Sequence, residues 1–168
     1  MTERMRTDVK EILITSVPMD SILLGDLDRM VPIGDWAPRD PLDFGIEIQI
    51  LAGTAEDRAG DAFEVTVCSP RWLATHWEEA LEGFVEKLPG GVVPGRHFWF
   101  MQRWDPHGFQ QSLDRVLDKS AAGSWDEIAN RLGRYLPWEF DYQYDEANDK
   151  AAGLEKMDYE QFVDDDDD

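Results

Sequence analysis

The sequence predicts an α+β fold: a mainly antiparallel sheet packed against about three helices in a single domain. Three observations carry that expectation. Apolar and polar residues alternate in "DFGIEIQILAG" and again in "AFEVTVC", with a loop between them, as in a hairpin of strands buried on one face. Three helix starts are marked by capping residues, Ser69-Pro70, Asp105-Pro106 and Ser124 with Glu127, each ahead of apolar residues at three- or four-residue steps. At 168 residues with seven tryptophans, the chain can bury one sizeable core.

Taken in order, residues 7–14, "TDVKEILI", suit a first strand. Residues 18–41 are interrupted by Pro18, Gly25, Pro32, Gly34, Pro38 and Pro41, leaving room for one short strand near Ser21–Leu24. The hairpin follows, with Phe44, Ile46, Ile48 and Ile50 on one arm and Phe63, Val65 and Val67 on the other. Ser69 should cap a helix over 70–88, with Leu73, Trp77, Leu81, Phe84 and Leu88 as its apolar stripe. "HFWFMQRW" is apolar on both faces, as expected of a strand covered on both sides. Phe109, Leu113, Val116 and Leu117 form the stripe of the next helix. Ile128, Leu132, Tyr135 and Leu136 form that of the last, which Pro137 stops. "WEFDYQYD" predicts a closing strand, aromatic on one face and acidic on the other. The expected domain is 1–145, followed by an acidic and solvated tail over 146–168.

Charge narrows the function. The net charge is −20, of which the tail carries −8 and the preceding residues −12. Such a field disfavours nucleic acid and anionic membranes as ligands and speeds encounter with basic partners. No apolar run approaches a membrane span, the start "MTERMRTDVKEI" lacks a signal-peptide core, and one cysteine forms no internal disulfide. A cytoplasmic protein is expected.

Catalytic chemistry finds little support. Cys68, where strand gives way to helix, is the candidate nucleophile of a small hydrolase. It lacks a local histidine partner and the glycine of a nucleophile elbow, and it lies on the strand face of Glu64 and Thr66. His76, His97 and His107 are too scattered for a zinc site. "LPGGVVPG" has no Lys-Ser/Thr for phosphate, and "DEANDKAAGLE" lacks the central glycine of a calcium loop. No enzyme activity, metal or cofactor is therefore expected. Two acidic surfaces are the candidate partner-binding sites: Glu78, Glu79, Glu82 and Glu86 on the first helix, and Glu139, Asp141 and Asp145 on the closing strand.

A strand ending in Val67-Cys68-Ser69-Pro70, with Trp72-Leu73 behind it, resembles the immunity protein 8 family of bacterial polymorphic toxin systems. So do Asp40-Pro41 and Phe44 ahead of a strand ending "LAG", and the closing "SWDEIANRLGRYLPWEFDYQYD". The likeness covers roughly residues 7 to 145. It implies an antidote that binds and neutralises a cognate toxin domain, with a basic domain such as a nuclease as one candidate, and it transfers no binding residues. The rival readings are a general acidic interaction module that mimics nucleic acid and the hydrolase using Cys68.

Overall fold

A computed structural model describes residues 4–16, 22–23, 30–78, 95 and 98–139. The chain opens with strand β1 (Asp8–Ser16), and two-residue strands β2 (Ile22–Leu23), β3 (Val31–Pro32) and β4 (Trp36–Ala37) follow. A 3-10 turn, Ile33–Asp35, lies between β3 and β4. β5 (Gly45–Gly53) and β6 (Asp61–Cys68) are the arms of the expected hairpin, paired from Gly45↔Cys68 to Ala52↔Asp61. Gly60 stands in the connecting loop at φ 68°. A side chain there would also meet the Ala52 carbonyl, so only glycine suits the turn.

The main sheet has the order β3-β1-β5-β6-β7, where β7 is Phe98–Phe100; β2 and β4 pair separately. All neighbours in the main sheet are antiparallel except β6 and β7, which run parallel and therefore need a crossover. Helix α1 (Pro70–Thr75) begins that crossover. Helices α2 (Pro106–Ser120) and α3 (Trp125–Leu132) pack on one face of the sheet. Ile14, Ile48, Ile50, Phe63 and Val65 from the strands meet Phe109, Leu113, Ile128, Leu132 and Leu136 there, all buried. The α+β architecture is the predicted one.

Local chemistry starts each helix as expected. Asp105 Oδ1 accepts from the Gly108 N–H at 3.0 Å, ahead of Pro106. Ser124 Oγ accepts from the Glu127 N–H at 3.3 Å, and Glu127 reaches back to the Gly123 N–H at 3.2 Å.

Three expectations are corrected. The helix expected over 70–88 is interrupted after Thr75, and residues 79–88 lie outside the described residues. The Trp72 carbonyl accepts from the His76 N–H at 2.9 Å, from Thr75 Oγ1 at 3.1 Å, and also bonds His76 Nδ1 at 3.0 Å. These side chains close the turn, and Trp77, assigned to the apolar stripe, is 40% exposed. Next, "HFWFMQRW" yields only β7, and Phe100 is 58% exposed rather than covered on both sides. Trp99 points toward Phe109 at 5.4 Å between ring centroids, whereas Phe100 lies on the opposite face. Finally, Tyr135 leaves the stripe of α3 and is exposed, because the chain turns after Leu132. Of the stretch expected to form a closing strand, only Trp138 and Glu139 are described, and the structure assigns no strand there. Trp138 forms an antiparallel bridge with Phe63.

Candidate functional site

The corner after β6 was the one place where sequence pointed to a nucleophile. Cys68 is fully buried against Phe98, with Trp72 and Leu73 packed around the pair. Burial pushes its thiol up to about 11 from 9.0, so it is protonated at neutral pH and shielded from substrate. The neighbouring hydroxyl is committed as well. Ser69 Oγ accepts from the N–H groups of Trp72 and Phe44, each at 3.2 Å, and the Ser69 N–H donates to the Phe44 carbonyl at 2.8 Å. One buried side chain thus caps α1 and ties it to the start of β5. Trp72 lies over Gly45 so closely that a Cβ at position 45 would enter its ring. The corner holds the fold together.

Asp40 organises the approach to β5 in the same manner. Its Oδ1 accepts from the Leu42 N–H at 2.9 Å, and its Oδ2 meets Arg71 of α1 at 3.3 Å. Phe44 is buried with its ring edge-on to Trp104 at 5.4 Å. Among the described residues no group of three or more His, Cys, Asp or Glu is placed to hold a metal ion, and no helix is long and apolar enough to cross a membrane.

The closing segment carries an arrangement that sequence reasoning missed. Asp61 Oδ2 accepts from the indole N–H of Trp125 at 2.7 Å and of Trp138 at 3.1 Å. Phe63 sits between the same two rings, stacked on Trp138 and edge-on to Trp125, each at 6.4 Å. Backbone bonds Glu64 N–H to Pro137 O at 3.0 Å and Glu139 N–H to Ala62 O at 3.1 Å lay the segment along β6. The partners are 64 and 77 residues apart, so no local pattern announces the carboxylate that joins them.

The candidate partner-binding residues divide unevenly. Glu78 is exposed just beyond α1, while Glu79, Glu82 and Glu86 lie outside the described residues. Glu139 is exposed and fixed, since its Oε1 accepts from the Ala62 N–H at 2.7 Å. Asp141 and Asp145 lie outside the described residues.

The immunity protein 8 family model matches residues 24–143, more than two thirds of the chain. The chain belongs to the immunity protein 8 family. Searches of curated proteins and of solved structures return no match. The residues that carry the immunity protein 8 resemblance are fold builders: Asp40 shapes a turn, Phe44 fills the core, Ser69 caps, Trp72 covers Gly45 and Trp138 anchors the last segment. Recognition in an immunity protein 8 must therefore be sought on exposed side chains that the fold does not require.

Proposed function

We propose that this protein is an antidote that binds a cognate toxin domain and neutralises it stoichiometrically, without turnover. Membership of an immunity protein family is the observation that carries this reading. The inert corner supports it, because the residues most suggestive of hydrolysis are consumed by packing and capping. The net charge of −20 favours a basic toxin, such as a nuclease, through steered association. Contacts are expected on the two acidic surfaces at Glu78, Glu79, Glu82 and Glu86 and at Glu139, Asp141 and Asp145. The tail over 146–168 is dispensable for folding in this reading, because its charge outweighs its few apolar residues.

The test is co-expression with the toxin-like C-terminal domain expected in the adjacent reading frame. Wild type and Cys68→Ser should both restore growth. Growth arrest that persists with wild type well expressed contradicts the antidote reading. Rescue by wild type but not by a folded Cys68→Ser protein would favour the hydrolase.

A further inference from the structure

The sheet has a second face, turned away from α2 and α3. Register and alternation place Glu11 and Leu13 of β1, Glu47, Gln49 and Leu51 of β5, and Ala62, Glu64 and Thr66 of β6 on it. Trp138 pairs with Phe63, so Glu139 beside Ala62 falls on this face too. Glu11, Leu51, Ala62 and Glu139 therefore make one row across four segments, roughly 14 Å long at the usual spacing between strands. Glu47 and Glu64 extend the acid beyond that row. All four glutamates are exposed, whereas Leu13, Leu51 and Ala62 between them are half-buried.

No lysine or arginine among the described residues neutralises these four carboxylates. The ion pairs seen are Lys10 with Asp8 and Arg71 with Asp40. Glu64 is steadied by Gln49 at 3.4 Å and Glu139 by the Ala62 N–H. A separate feature marks the same face. Thr66, directly across from Glu47, is only 4% exposed, yet its Oγ1 has no hydrogen-bond partner. A buried polar atom left unmade costs stability, as does mutual repulsion among unpaired acids. The four acids lie outside both buried clusters, the main one on the other side of the sheet and the smaller one of Cys68 and Phe98, with Trp72 and Leu73, at the Gly45 end of this face.

We propose that this sheet face, with Glu11, Glu47, Glu64 and Glu139 around a small apolar centre, is the surface that receives a basic face of the toxin. The inference rests on the antidote reading and specifies its interface. It widens the acidic surface at Glu139 to a four-segment platform, separate from the first-helix surface at Glu78, Glu79, Glu82 and Glu86, and the platform's side chains lose little freedom on binding. Lysine or arginine of the toxin would neutralise the rim.

The experiment measures association with the cognate toxin domain expected from the adjacent reading frame, by stopped flow across a range of ionic strength. Glu47→Lys/Glu64→Lys is compared with Asp114→Lys/Asp118→Lys, which changes net charge equally on exposed positions of α2. The sheet-face pair should slow association about tenfold or more at low salt and flatten its salt dependence. The α2 pair should change the rate no more than about twofold. Equal effects from both pairs, or none from the first, overturn the proposal while wild-type binding leaves the antidote reading standing. Failure of wild type to associate removes both. If the reversal fails to fold, Glu47→Gln/Glu64→Gln decides on the same comparison, with a melting temperature at or above wild type and slower association expected.

Discussion

Ser69 illustrates how one side chain can take the place of a supposed active site. Its hydroxyl serves two backbone donors, Phe44 25 residues before it and Trp72 3 residues after it, and it is wholly buried. Ser69→Ala should therefore cost more than an ordinary helix cap, on the order of 2–4 kcal/mol, because the Phe44 and Trp72 N–H groups lose their acceptor. Urea unfolding with an unchanged slope measures this, and a loss below about 0.5 kcal/mol would mean that the hydroxyl does not hold the corner. Cys68 predicts a pH effect. The folded thiol, at about 11, binds its proton more tightly than the unfolded thiol near 9.0. Its contribution is full below about pH 9 and is lost as the pH rises through about 11. Stability should fall over that window by on the order of 2 kcal/mol in wild type and by less in Cys68→Ala, compared by denaturation at successive pH values.

Among the elements, the caps and the hairpin were legible because each is a local pattern. A serine and a proline before an apolar stripe need no knowledge of the rest of the chain. What escaped depended on neighbours distant in sequence or on competing local bonds. The break after Thr75 comes from hydroxyl and imidazole bonds to the Trp72 carbonyl, which a stripe of apolar residues does not register. Phe100 is exposed because its strand is only three residues long and pairs at one edge with β6, a fact of strand order. Asp61 escaped for the same reason. Asp61→Ala should loosen the closing segment by on the order of 2 kcal/mol and shift the indole N–H resonances of Trp125 and Trp138 while sparing the other indoles. Asp61→Asn, which keeps an acceptor, should lose less. Unmoved resonances at both tryptophans would show that the carboxylate does not clamp them.

At the scale of the whole molecule, charge and family point the same way. The acid at Glu139 was legible as one face of an alternating strand. Its company with Glu11, Glu47 and Glu64 required the order in which β1, β5 and β6 lie side by side. Truncation after Asp145 should leave the melting temperature close to that of the full chain, in keeping with a domain that ends there, and a large drop would make the tail part of the fold. The central claim, neutralisation by a stoichiometric partner, is tested most directly by titrating the activity of a cognate toxin domain with purified protein. Inhibition that is complete at one equivalent, with the protein recovered unchanged in the complex, is the predicted result. Full toxin activity at excess protein, or inactivation of many equivalents by one protein molecule, would contradict it.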